Sequence, residues 1–234
     1  MSRKDELAKP TSVMTEAIIL AGLKPFGIPV PASFVTGVQT YIRLLLSWNE
    51  KVNLTSIREP NEILTRHFGE SIFGTVVADI QSGDLLDVGS GAGFPALPIA
   101  MMLNDLRLTL LEPNSKKAAF LHEASRELGL EGRVKIVKAR LEAYEAHANG
   151  FEFVSSRAVR VTREFLRLCK EQLRLQGKVV LWVGGGSLQE VQGIPGWHWL
   201  KAERIPGSSG RFVLAGVPRA GSAVPRETSG SARK

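Results

Sequence analysis

The eleven residues Leu85-Leu86-Asp87-Val88-Gly89-Ser90-Gly91-Ala92-Gly93-Phe94-Pro95 constrain the fold of this 234-residue chain more than any other stretch. A short apolar run stops at an acid, turns through three glycines and meets a proline suited to open a helix. This is the pattern of the first strand, loop and helix of a doubly wound, mainly parallel sheet. Bare glycines there let the backbone approach a ligand closely. The spacing is Gly-x-Gly-x-Gly, and Phe94 stands where a dinucleotide fingerprint would carry its third glycine. With Asp87 ahead of it, the loop suits a nucleoside without phosphate, S-adenosylmethionine, held against Gly89, Gly91 and Gly93.

Upstream of Gly83 the chain reads as helical. Phe34, Val38, Tyr41, Leu45, Trp48 and Val52 recur at steps of four and three, with Pro31 placed for a first turn, and the stripe ends at the polar break Asn53-Leu54-Thr55. Pro60 opens a second helical stretch to about Ile80, and 1–23 supplies another. From Gly83 strands and helices alternate. Strands are predicted at 84–88, 107–111, 133–137, 151–155 and 178–183, and helices at 95–103, 115–128, from Leu141 and at 162–173. After Gly184-Gly185-Gly186 the segments 197–204 and 211–217 flank Pro206-Gly207-Ser208-Ser209-Gly210 and read as an antiparallel hairpin. The divisions are a helical N-terminal extension over 1–80, an α/β domain over 81–218 and a basic, disordered tail over 219–234.

The single cysteine, Cys169, excludes an internal disulfide, and 1–10 is too charged for a signal peptide, so the expected compartment is the cytoplasm. The longest apolar region, 85–103, holds Asp87, two prolines and three glycines and does not read as a membrane span. The net charge of +7 is uneven: residues 1–80 balance, whereas residues 151–234 carry fourteen Lys/Arg against six Asp/Glu. Such a basic third is either a polyanion-binding surface or a basic tail with solvated helix faces.

Glu112 ends the second strand, 25 residues beyond Asp87, where an acid can accept both ribose hydroxyls or simply favour the following helix N-terminus. Leu141 and Glu142 follow the third strand, where an adenine would lie; Glu142 reads equally as a solvated first-turn acid. The fourth strand ends Ser155-Ser156-Arg157, with no Asn/Asp-Pro-Pro-Tyr motif for an exocyclic amine and no cysteine pair for cytosine C5. A ring nitrogen with its own lone pair, such as guanine N7, needs alignment rather than a base. Arg157 could then position substrate through a phosphate or a guanine edge, or pair with a local carboxylate. Arg160, Arg163, Arg167, Lys170 and Arg174 continue at steps of three and four, forming from Arg163 onward one helix face opposite Phe165, Leu166, Cys169 and Leu173. The row reads as an RNA backbone track, with Glu164 and Glu171 off it, or as a solvated face. His67 reads as a core or capping histidine, and no cluster has metal-ligand spacing.

Several segments together resemble one family: residues 48–55, Arg66-His67-Phe68-Gly69-Glu70-Ser71, residues 87–98, Lys116-Lys117 through Gly129, and Ser156-Arg157-Ala158. They are similar to the bacterial small-subunit rRNA guanine-N7 methyltransferases, historically called glucose-inhibited division protein B, over roughly residues 40–185. The resemblance implies a Rossmann-like class I S-adenosylmethionine-dependent methyltransferase with a helical cap that acts on the 530 loop of 16S rRNA. By position it implies cofactor contacts at Gly89, Phe94, Leu141, Glu142 and Arg157, with Glu112 on the ribose. Two positions depart from the family pattern: Glu70 replaces an Asp, and Leu141 replaces an Ala at the proposed adenine contact. The expected partner is 16S rRNA in the small subunit or an assembly intermediate, met by a monomer. A small-molecule methyltransferase and a non-catalytic RNA-binding or assembly factor are the other readings of the same fold.

Overall fold

The computed structural model of the chain describes residues 14–145, 149–157 and 159–219. Five strands run parallel: β1 (Gly83–Val88), β2 (Leu106–Leu111), β3 (Val134–Val137), β4 (Phe151–Arg157) and β5 (Leu173–Gly184). β8 (Arg211–Pro218) lies antiparallel to β5 and carries β6 (Trp197–Trp199) and β7 (Glu203–Arg204), also antiparallel. The order is β3-β2-β1-β4-β5-β8-β6, so chain order reverses between β1 and β4, where a doubly wound sheet opens its crevice.

Near-continuous apolar strands imply a sheet covered on both faces, and alternation along each strand divides the core. Leu85, Phe153, Val180 and Trp182 share one core with α1 (Glu16–Leu23), α2 (Ala32–Asn49), α3 (Pro60–Ile63), α4 (Glu70–Ala78), α5 (Ala96–Met102) and α6 (Ser115–Glu127). Leu86, Val88, Val154, Val179, Leu181 and Val183 share the other with α7 (Arg163–Gln172) and α8 (Gly185–Gln192). The N-terminal helices therefore join α5 and α6 on one side of the sheet. A π-helical turn, Leu64–Gly69, links α3 to α4 and makes one helical run of 60–78.

Several expectations change. α8 starts within the three glycines, at Gly185, where no helix is predicted, because its eight residues hold a single buried side chain, Val191, and show no apolar stripe. β5 starts at Leu173, not 178. Phe151 pairs with Leu173 and Phe153 with Lys178, so the intervening residues bulge out, with Gln176 at φ +64°. The turn after Leu141 is a 3₁₀ turn, Leu141–Ala143. α1 begins only at Glu16, and 220–234 of the predicted tail lie outside the described residues.

α4 reaches the sheet through Trp182, whose indole Nε1 donates to the Glu70 carbonyl at 2.7 Å. The indole covers Gly74 so closely that a methyl there would drive into the ring. Alanine favours helix by about 1 kcal/mol over glycine, but overpacking a buried ring costs about 1–3 kcal/mol. Gly74→Ala is therefore expected to destabilise the protein by about 1–2 kcal/mol, read as a lower midpoint in chemical denaturation.

Candidate cofactor crevice and the wall behind it

All three glycines of the loop after β1 have positive φ: 72° at Gly89, 56° at Gly91 and 80° at Gly93. At Gly93 a Cβ would strike Tyr41 and Leu97, whereas at Gly91 the nearest atom to one is the Gly89 carbonyl oxygen at 3.8 Å. The loop is thus packed beneath Gly93 and open at Gly91. Gly89 and Ser90 both donate backbone N–H to the Leu111 carbonyl at 3.0 Å, tying the loop to the end of β2. There Glu112, buried, accepts from Gly91 N at 2.9 Å and from Asn114 N at 2.8 Å. Asn114, not Glu112, caps α6, accepting from Lys116 N and Lys117 N. Glu112 stands as the acid joining the ends of β1 and β2.

Asp87 is almost wholly buried at the end of β1. Its Oδ1 accepts from Ser155 Oγ at 2.6 Å, and its Oδ2 has no hydrogen-bond partner among the described residues. Burial pushes its carboxyl up to about 6, against the pull of the Ser155 and Ser90 hydroxyls and of Arg157. A sealed carboxylate oxygen without a donor is costly unless a ligand supplies one. The ammonium of S-adenosylmethionine is such a donor, and the open backbone at Gly91 and the acid of Glu112 suit its nucleoside. The residues present fit the cofactor.

Phe94 turns inward rather than into solvent. It stacks on Tyr41 (centroids 5.1 Å, 11° between planes) and on His67 (4.6 Å, 24°). Tyr41 Oη donates to the Ala92 carbonyl at 2.5 Å, and burial, then the nearby Asp87 charge, raises its pKa. The N-terminal helices thereby form the back wall of the loop. Arg157 points into the same wall, because Phe153, Ser155 and Arg157 alternate onto one face of β4. Its Nη1 donates to the Arg66 carbonyl at 2.9 Å, its Nη2 donates to His67 Nδ1 at 2.6 Å, and Glu70 Oε2 lies 3.9 Å from Nη1. Glu70 also accepts from Arg211 Nε at 2.8 Å.

An arginine can only donate, so His67 Nδ1 is the acceptor and its proton sits on Nε2, which donates to Thr55 Oγ1 at 2.8 Å. Burial, then the Arg157 charge, lowers the His67 pKa to about 3. Thr55 is held by Asn49, whose Nδ2 donates to the Thr55 carbonyl at 2.8 Å and whose Oδ1 accepts from Leu54 N and Thr55 N. The polar break is therefore a built loop. Thr55, Glu70, Asn49 and Tyr41 build the wall, and residue-by-residue reading did not single them out. For the first three the signal was the clustering of polar residues in segments 48–55 and 66–71, whereas Tyr41 was hidden in the apolar stripe of α2.

Leu141 is buried beneath the crevice in the core with Val88 and Leu111, and Glu142 is exposed on the 3₁₀ turn. The basic row needs correction. Arg167 is paired with both Glu164 (2.6 Å) and Glu171, so these acids do neutralise it. Arg174 lies on β5, not on the helix, and pairs with Glu152 at the start of β4, at the end of the strands away from the crevice. Lys170 is half-buried on α7. Arg160 and Arg163 alone of the row stand exposed at the mouth with no ion pair among the described residues. Cys169 is buried, and burial pushes its thiol far up.

Sheet order, glycine loop and the acids ending β1 and β2 define a Rossmann-like class I S-adenosylmethionine-dependent methyltransferase. Among solved structures the chain resembles the methyltransferase from Aquifex aeolicus described as SAM dependent: TM-score 0.57 and 13% identity over 68% of this chain and 93% of that one. It also resembles the [4+2]-cyclase SpnF, with TM-score 0.60 and 15% identity over 83% and 99%. Likenesses this remote show the fold alone, and the second shows that the fold does not dictate the reaction. The family described as rRNA small subunit methyltransferase G matches residues 35–195. A ribosomal RNA small subunit methyltransferase G from Alkalilimnicola ehrlichii is 36% identical over 200 residues, 82% of this chain and 87% of that protein. The chain belongs to this family.

Two outcomes follow from the buried ionisable groups. Asp87→Asn keeps the shape and removes a buried charge, so at pH 8 it is expected to stabilise the free protein by about 1–2 kcal/mol while weakening S-adenosylmethionine binding. Denaturation and calorimetric titration of the same variant check both signs. His67 stays neutral in the fold down to about pH 3, whereas the unfolded chain protonates it near 6.5. Its stabilisation is complete above pH 6.5 and is lost as pH falls towards 3, by about 1.4 kcal/mol per pH unit. Asp87, with its pKa raised, acts oppositely between about 6 and 3.8. The stability gap between wild type and His67→Phe is therefore expected to narrow steadily from pH 6.5 to 4 in denaturation series.

Proposed function

We propose that this protein transfers the methyl group of S-adenosylmethionine to N7 of a guanine in the 530 loop of 16S rRNA. In this reading it works as a cytoplasmic monomer on the small subunit or its assembly intermediate. The observation that carries the reading is the family match across residues 35–195, with relatives named for small-subunit rRNA methylation. Among the described residues, no helix is long and apolar enough to cross a membrane.

When bound, S-adenosylmethionine supplies an electrophilic methyl on a sulfonium. Gly89, Gly91, Gly93 and Phe94 would cradle it, Glu112 would take the ribose hydroxyls, and Leu141 and Glu142 would flank the adenine. Asp87 would meet the ammonium. Arg157 would act from the wall as a positioning residue: its Nη atoms are engaged by Arg66, His67 and Glu70. His67 cannot take a proton from substrate, since its one lone pair already accepts from Arg157. That inertness suits a guanine N7 as acceptor, whose lone pair could receive a methyl group with no proton to remove. The protein contributes alignment and electrostatics.

Residues 1–80 form the cap and 81–218 the catalytic unit, with 219–234 a basic tail. RNA would approach over Arg160 and Arg163 at the mouth. Arg167, Lys170 and Arg174, expected as its continuation, run away from the crevice.

Methyl transfer from labelled S-adenosylmethionine to small-subunit particles lacking N7 methylation is expected to yield 7-methylguanosine in the 530 loop, read by nucleoside mass spectrometry. Cofactor binding without a methylated nucleoside would defeat the rRNA reading in favour of a small-molecule acceptor. Arg160→Glu combined with Arg163→Glu is expected to raise KM for particles at least about tenfold and flatten its salt dependence, leaving cofactor affinity unchanged.

A further inference from the structure

We propose that the cavity between the β4–α7 loop and α8 is the pocket for the acceptor base, and that Glu190 reads the Watson–Crick edge of guanine there. This rests on the reading that a guanine is the methyl acceptor. The cavity holds about 360 Å³, within the range of small-ligand sites, and is bounded by Val159, Arg160 and Val161 after β4, Gly184 ending β5, and Ser187 and Glu190 on α8.

Its position follows from the topology. Glu112 ends β2 on one side of β1, while the cavity lies over the ends of β4 and β5 on the other side. An elongated ligand held by its ribose at β2 leads its far end across β1 towards β4. The cavity begins there: Val159 Cγ2 lies 2.9 Å from where a Cβ on Gly89 would stand, so one wall of the cavity touches the cofactor loop.

The lining suits a flat base. Val159 and Val161 offer apolar surface to a ring face, and Arg160 stands exposed at the rim, where a nucleotide's phosphate would lie. Ser187 and Glu190 are three residues apart on α8 and share one helix face. The Glu190 carboxylate has no hydrogen bond or ion pair among the described residues and is acceptor-only. Guanine presents two adjacent donors, N1–H and N2–H, on its Watson–Crick edge, which a carboxylate can accept together. N7 lies on the Hoogsteen edge, in the five-membered ring, and is not engaged by that grip. A base held by Glu190 on α8 therefore leaves its N7 lone pair free to face β1 and the glycine loop.

The test is steady-state methyl transfer to small-subunit particles by the full-length protein, with cofactor affinity measured by calorimetry on each variant. Glu190→Gln is expected to lower kcat/KM about ten- to a hundredfold, because its amide N–H₂ faces two donors, while Glu190→Asp recovers part of the loss. Ser187→Trp, which fills the cavity from an exposed helix position, is expected to abolish transfer. Cofactor affinity should stay within about twofold of wild type throughout. Transfer retained by both Glu190→Gln and Ser187→Trp would overturn the pocket and leave the rRNA reading intact. Loss of transfer together with loss of cofactor affinity would also overturn it, since the residues would then serve the cofactor or the fold. A wild-type protein that binds cofactor but yields no methylated guanosine would overturn both readings.

Discussion

The guanidinium of Arg157 is a cation taken mostly out of water; its side chain is only 17% exposed. Such a group is tolerable only if its donors are met and its charge is opposed. The helical run 60–78 meets both needs, with the Arg66 carbonyl, the His67 ring and the Glu70 carboxylate. These three come from the π-turn and the first residue of α4, so a shift in that helix would leave a buried charge without partners. Trp182 and Arg211, both held by Glu70, anchor the same turn to β5 and β8. Because Arg157 ends β4 beside the crevice, these contacts tie the N-terminal helices to the sheet at that point.

The protonation states around Arg157 follow from that charge. A protonated His67 would place a further cation beside Arg157 and Arg66, and the ring stays neutral, as an acceptor towards one and a donor to Thr55. Asp87, on the same face of the sheet, keeps an unmatched oxygen and a raised pKa. In the wall the Arg157, His67 and Asn49 side chains are held by partners within the fold, whereas Asp87 at the end of β1 keeps an oxygen without one. Groups with partners hold the crevice in shape, and an unmatched acid beside the glycine loop is open to a ligand's donor.

Most of the parallel sheet was legible because a buried strand carries a dense apolar run and each run here is punctuated by glycine, proline or a capping residue. The glycine loop, the position of Glu112 at the end of β2 and the closing hairpin were legible on the same grounds. α8 was not, since a helix that buries only Val191 shows no stripe. The bulge opening β5 was hidden for a related reason: Leu175 is 91% exposed and imitates a core leucine in one dimension. The basic row was misjudged because helical spacing shows which residues share a face but not which partners they choose. Arg167 lies three and four residues from Glu164 and Glu171, and it reached both.

By itself the sequence determined the class of the fold, the place of the glycine loop and the family, since these depend on local periodicity, on glycines that take positive φ without strain, and on runs of residues kept in order. Only the tertiary structure decided what the side chains face. Strand alternation turned Arg157 inward to His67 rather than outward to substrate, and the close approach of α8 to the β4–α7 loop made a cavity from residues some thirty positions apart. A periodic pattern tells a side chain which side of its own element to take. What waits on that side is set by chain segments distant in sequence, and no local rule contains them.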